Sequence, residues 1–314
     1  MKGLELSQAY FEQFGRPVLE SEFAPLLPYL AVGLVGSGSE RFGFDDEISA
    51  DHDFEPGFCI FLPGEDVVDR REAFRLERAY AKLPKEFGGL RRQTVSPVGG
   101  SRNGVIRTAD FYTAAVGAPD GQLTTEQWLT IPDYALAEAT NGRVFFDNYG
   151  EFTRIRGLLE QMPQDVMRKR LAGNLLLMAQ AGQYNFTRCL RHGEPEAAQL
   201  ACTEFVTAAM KAVFLLRGRY LPYYKWSFRA FRQLDGTEDL AEGLALLLRG
   251  DNRNNAAAEQ KYDVIESIAS EIITMLQERE LTRAVCGDLE KHAYSVNDGI
   301  TDGDLRNLHI LAAV

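Results

Sequence analysis

Two apolar runs, YLAVGLVG at residues 29–36 and GFCIFL at 57–62, bracket the string GSGSERFGFDDEISADHD of residues 36–53. Short apolar runs bounded by turn-forming residues read as neighbouring buried strands. After residue 152 the pattern changes to almost unbroken helical periodicity, with loops such as RHGEP and LRGDNRNN between the segments. An early strand–turn–strand unit followed by helices alone predicts an α+β chain, with a mixed-sheet domain at residues 1–152 and a helical bundle at 153–314.

The bracketed string carries the most chemistry. Small residues let backbone N–H groups approach an anion closely, so Gly36, Ser37, Gly38 and Ser39 are candidate phosphate contacts, with the two serines adding hydroxyls. A helix beginning just after the turn would add its positive end. Asp51 and Asp53 lie one residue apart, which on an extended chain puts both carboxylates on one face, where they can share a hard cation. His52 would face the other way. Each half is ordinary alone: 45 acidic residues in 314 give roughly six acid-x-acid triplets by chance, and Gly and Ser suit any turn. No Gly-Lys-Ser/Thr follows to make a P-loop, and Gly36, Gly38 and Gly43 miss dinucleotide-fingerprint spacing. Only the combination is informative.

Composition sets limits on the partners. The net charge is −11, which argues against a broad nucleic-acid surface, because such surfaces rest on clustered Lys and Arg. A local basic cleft stays open. Cys59, Cys189, Cys202 and Cys286 are widely spaced and read as reduced residues. His52, His192, His292 and His309 show no zinc spacing. There is no long apolar run to span a membrane, and the acidic N-terminus lacks signal-peptide character, so a cytoplasmic location is expected.

Along the chain, LELSQAYFEQFG reads as an amphipathic helix and SEFAPLLPYL as a second helix broken by Pro25 and Pro28. Residues 66–84 form a polar helix whose Arg70, Arg71, Arg75 and Arg78 read as a solvated face. Residues 85–104 read as a loop or flap, and 103–117 as a strand continuing into a helix. TIPDYALAEATNG is a helix ended by Asn141-Gly142, and RVFFDNYG is a short strand. Beyond it, helices are expected at 163–192, 194–217, 223–234, 238–249 and 256–283, with two short ones from 288 onward. In RYLPYYKW, Pro222 can begin a helix and puts Tyr224 and Lys225 in its first turn. Tyr184, Arg188 and Arg191 share a helix face. With Glu204, Lys211 and Tyr224 they are candidates for a buried polar substrate wall, or else solvated side chains.

Gly38-Ser39 followed by Asp51-x-Asp53 resembles the nucleotidyltransferase superfamily of DNA polymerase beta and the kanamycin and streptomycin nucleotidyltransferases. The string GLVGSGSERFGFDDEISADHDFEPGF looks more particularly like bacterial nucleotidyltransferase-like proteins whose C-terminal domain has no assigned function. The resemblance extends to Trp128–Pro132, GRVFFDNYGEF, QYNFTR and RYLPYYKW. It implies that Asp51 and Asp53 hold one or two Mg²⁺ ions, that the turn binds the triphosphate of an NTP, and that Lys225 reaches the phosphates. The activity implied is transfer of a nucleoside monophosphate to a hydroxyl of an unidentified acceptor, such as an aminoglycoside-like molecule, a protein or an RNA end. Relatives place a third acid on a later strand. Here the strand VIR has none, and Asp110 beyond it is equally a helix-start residue. That gap keeps a second reading open: a nucleotide-binding or regulatory protein of the same fold, for example an antitoxin-type partner, with little or no transfer.

Overall fold

The computed structural model describes residues 2–46, 55–92 and 103–314, apart from the side chain of Asn255. The chain is α+β, in two compact units: Met1–Leu123 with Tyr134–Gln161, and Thr124–Asp133 with Met162–Val314.

The first unit is built on a mixed sheet. Its strands are β1 (Ala31–Leu34), β2 (Cys59–Leu62), β3 (Glu86–Phe87), β4 (Leu90–Arg91), β5 (Gly104–Arg107) and β6 (Arg143–Asp147). Four of them form one sheet in the order β5-β2-β1-β6, and β3 pairs with β4 as a separate hairpin. β1 runs antiparallel to both β2 and β6, and β2 runs parallel to β5. β1 and β2 are buried throughout, as central strands covered on both faces must be. Tyr10, Phe11 and Leu19 of the N-terminal helical segment join Leu76, Val32, Phe58, Ile60 and Leu62 in one core. Period-2 alternation sends Phe61 of β2 to the opposite face, where it meets Phe111 and Phe152 at ring-centroid distances of 5.4 and 4.2 Å.

Several sequence expectations change. The first helical segment runs on through a π-helical turn at Phe11–Gly15 to Glu22. The second is a 3₁₀ helix, Ala24–Tyr29, containing Pro25 and Pro28, since tight turns tolerate the missing proline donors better than an α-helix does. The supposed loop at 85–104 opens with the β3–β4 hairpin. Residue 152, the expected boundary, falls inside helix Glu151–Glu160, anchored to the sheet by Phe152. Residues 124–133 go with the helical unit because Asp133 pairs with buried Arg170 at 2.9 Å, and Arg170 also donates to the Trp128 carbonyl at 3.2 Å.

The second unit is helical. Gln164–Met178 passes through a π-helical stretch, Ala179–Phe186, into Thr187–Arg191. It is followed by Pro195–Leu216, Tyr224–Phe231, Glu238–Arg249, Asn255–Glu278, Leu289–Asp298 and Gly303–Asn307. Among the described residues, Pro195–Leu216 alone is long and apolar enough to cross a membrane, and 67% of its apolar window is buried within the protein, as in a core helix.

Candidate functional site

Strand directions bring four chain segments to one end of the sheet. β1 leaves the sheet there into the Gly36–Ser39 turn. Being antiparallel to β1, β2 and β6 begin at that end, and β5, parallel to β2, begins there too. Glu55, two residues after Asp53 in sequence, leads toward β2; Asn103 leads into β5 and Asn141 toward β6.

The turn is held from both sides. Asn141 grips the backbone of Gly36 twice: its Oδ1 accepts from the Gly36 amide at 2.8 Å, and its Nδ2 donates to the Gly36 carbonyl at 2.7 Å. Arg41, only 2% exposed, donates from Nε to the Val35 carbonyl at 2.8 Å, from Nη2 to Asn103 Oδ1 at 2.9 Å, and pairs with Glu40. Asn103 in turn donates to Glu55 at 3.4 Å. A buried guanidinium is tolerated only when paired and fully hydrogen-bonded, and these partners meet that condition. They also tie the turn to the entries of β2 and β5.

Backbone geometry explains the glycines. Gly36 and Gly38 have φ of 104° and 133°, the region that side-chain-bearing residues avoid. A Cβ on Gly38 would fall 2.6 Å from both carboxylate oxygens of Glu40. The amides of Ser37, Gly38 and Ser39 meet no hydrogen-bond acceptor among the described residues. Successive backbone donors on a turn are a kind of feature that can receive an anion. The helix after the turn, Ser39–Phe42, has four residues, so the expected contribution of a helix terminus gives way to that of the individual amides.

Asp51 and Asp53 lie outside the described residues. Asp110 sits exposed in the first turn of helix Thr108–Val116, past the C-terminal end of β5, while the turn adjoins the strand's N-terminal end. β5 itself, GVIR, carries no acid. Among the described residues no group of three or more His, Cys, Asp or Glu is placed to hold a metal. Burial pushes the thiol of Cys59 on β2 up, against the opposing effect of the Arg41 charge.

The remaining candidates belong to the helical unit. Lys225 is exposed in helix Tyr224–Phe231, with its Nζ 5.1 Å from the Trp226 ring centroid. Tyr184 and Arg188 do meet: Arg188 donates to the Tyr184 hydroxyl at 2.8 Å and lies over its ring. Tyr184 is 60% exposed and lines an open pocket of about 670 Å³ with Gln183, Tyr262, Glu266, Asp288 and Glu290. The Glu266 carboxylate and burial push the Tyr262 hydroxyl up. Glu204 is exposed and Lys211 half-buried on Pro195–Leu216, Arg191 is exposed, and Tyr224 is exposed on another helix; none of the four lines the pocket. The buried polar wall expected from helix spacing is therefore not assembled. Spacing places residues on one face of a helix but does not say which face is inward.

Sequence reasoning missed Glu40, Arg41, Asn103 and Asn141. The available signals were a charged pair immediately after GSGS and an Asn-Gly pair that reads equally as a helix terminator.

Residues 128–227 match a domain of unknown function, DUF4037, which is 100 of the 314 residues. A nucleotidyltransferase-like protein from Exiguobacterium sibiricum is similar at 14% identity and a TM-score of 0.37, over 92% of this chain and 80% of that one. No curated protein matches.

Proposed function

We propose that the chain is a Mg²⁺-dependent nucleotidyltransferase, moving a nucleoside monophosphate from an NTP to an acceptor hydroxyl. The observation that carries this reading is the turn: three amides, at Ser37, Gly38 and Ser39, that meet no acceptor among the described residues, at the sheet end from which β2 begins. Those amides and the serine hydroxyls bind the outer phosphates of the nucleotide. Arg41 and Asn141 act as positioning residues, fixing the turn so that no reorganisation is needed as charge develops. Asp51 and Asp53 are the hard oxygen donors that suit Mg²⁺, and the ion supplies charge neutralisation at the phosphoryl oxygens and a lowered acceptor pKa. In-line approach of the acceptor hydroxyl to the α-phosphorus forms a new P–O bond as the hydroxyl proton passes to solvent, and pyrophosphate leaves with the electrons of the bond that breaks.

The acid-free β5 favours one alternative: a protein that binds nucleotide at this turn and transfers little or none, as an antitoxin-type regulator would. Incubation with labelled NTPs, Mg²⁺ and a cell extract separates the two. Transfer predicts a labelled acceptor that disappears in Asp51→Ala. Nucleotide binding with no labelled acceptor supports the regulator, and absence of both overturns the two readings together.

A further inference from the structure

Acidic residues outnumber basic ones 45 to 34, yet from Phe205 to Leu234 there is no Asp or Glu. Even placement would put about four acids in those thirty residues. The same stretch carries Lys211, Arg217, Arg219, Lys225, Arg229 and Arg232, together with six aromatic residues between 220 and 231. The excess is therefore local, on a chain whose overall charge repels polyanions.

Folding concentrates it further. In helix Tyr224–Phe231, Ser227, Ala230 and Phe231 are buried, with Phe231 against Phe214 of Pro195–Leu216 at 6.2 Å. That fixes the inward face. Lys225, Arg229 and Arg232, at positions i, i+4 and i+7, share a face, and all three are exposed. The Arg229 guanidinium and Lys225 Nζ each lie 5.1 Å from the Trp226 ring centroid, and Arg232 lies over Phe228. Tyr224, 76% exposed, stands beside Tyr223, 46% exposed, with ring centroids 4.4 Å apart. Cation–aromatic contacts restrict the long cationic side chains, which lowers the entropy lost when they bind.

We propose that this face binds single-stranded nucleic acid. Cations in register along a helix follow a phosphate backbone, and exposed aromatic rings beside them are platforms on which unpaired bases stack without regard to sequence. An acidic peptide would use the cations and leave Tyr223 and Tyr224 idle. A duplex presents no free base faces to them. The inference stands apart from the nucleotidyl-transfer reading, because it concerns the helical unit and requires neither Mg²⁺ nor NTP.

The test is fluorescence anisotropy of the full chain with a labelled oligouridylate of about 12 nucleotides, without metal or NTP, across a salt series. Three phosphate contacts predict a log–log salt slope of about −2. Lys225→Gln, Arg229→Gln and Arg232→Gln combined should bring that slope near zero, while Tyr224→Ala should weaken binding about tenfold and leave the slope unchanged. The substituted side chains are exposed, and matching circular dichroism and melting curves confirm that each variant is folded; Lys225→Arg should retain binding. Failure of the parent protein to bind overturns the proposal, as does binding indifferent to both variants. So does equal affinity for polyglutamate or anionic vesicles, which would make the face a general polyanion or membrane contact. Displacement of the oligonucleotide by ATP at an equal concentration of molecules would also overturn it, marking a mononucleotide site.

Discussion

The two units put buried cations to different uses, although the helical unit also holds a buried ion pair like that of the sheet unit, Arg170 with Asp133. In the sheet unit, buried Arg41 is paired with Glu40 and braces a turn whose Ser37, Gly38 and Ser39 amides meet no acceptor among the described residues. In the helical unit, Lys169 and Lys261 have no exposed surface and donate to neutral oxygens. Lys169 donates to Asn297 Oδ1 and to the carbonyls of Arg306 and Leu308, at 2.9, 3.2 and 2.6 Å; Lys261 donates to Gln199 and Asn252 at 2.8 and 2.7 Å. Burial holds both ammonium groups below the ordinary lysine range. Lys169 and Lys261 are clips that close segments onto the bundle, whereas Arg41 supports a turn whose amides meet no acceptor among the described residues. A buried charge marks a functional region only when something beside it is left available to a ligand.

Replacing Arg41 tests that contrast most severely. Arg41→Ala leaves the Glu40 carboxylate buried without its partner, and stability should fall by about 3–5 kcal/mol in chemical denaturation. A loss under about 1 kcal/mol would mean the pair is not the brace of the turn. In Lys169→Met, three acceptors lose their donor but a desolvated charge goes with it, so the loss should be smaller, about 1–3 kcal/mol. The same variant should change the pH dependence. Between the lowered pKa of Lys169 and the free value of 10.5, the unfolded chain binds more protons than the folded one, so the lysine makes stability rise with pH across that window. Lys169→Met should remove its part of that rise, and an unchanged profile would break the comparison.

Asn141→Ala strips both bonds from the Gly36 backbone and should cost about 1–3 kcal/mol. Its sharper readout is NTP affinity, which should fall well beyond what the stability loss explains. The smallest effect belongs to Lys225→Ala. Losing one exposed cation–aromatic contact should change stability by about 0.5 kcal/mol, and a much larger loss would show that Lys225 acts as a structural clip after all.

Much of the fold was legible because apolar runs report burial directly. YLAVGLVG and GFCIFL contain β1 and β2, and the helix expected at 66–84 is Arg70–Lys82, begun by Asp69 accepting from the Glu72 amide at 2.9 Å. Of its four arginines, Arg70 and Arg75 pair with Glu65 and Glu72 at the surface, as a solvated face would. The π-helical turns at Phe11–Gly15 and Ala179–Phe186 were not legible, since such turns are rare insertions within otherwise α-helical segments. Nor was the role of Arg41: arginine is rarely buried, and its partner Asn103 reaches it only after β5 is laid beside β2. Sequence placed the turn, while the clamp of Arg41, Asn103 and Asn141 around it depends on tertiary pairing.

The central claim is that the Gly36–Ser39 turn and the Asp51/Asp53 pair form one Mg²⁺-dependent nucleotide site. Thermal unfolding with each NTP, with and without Mg²⁺, tests it most directly. At a ligand concentration of about 100 times Kd, bound nucleotide stabilises by about 2.7 kcal/mol, so the parent protein should melt higher only when Mg²⁺ is present, and Asp51→Ala and Asp53→Ala should each abolish the shift. No shift with any NTP, or a full shift retained in either aspartate variant, would contradict the account.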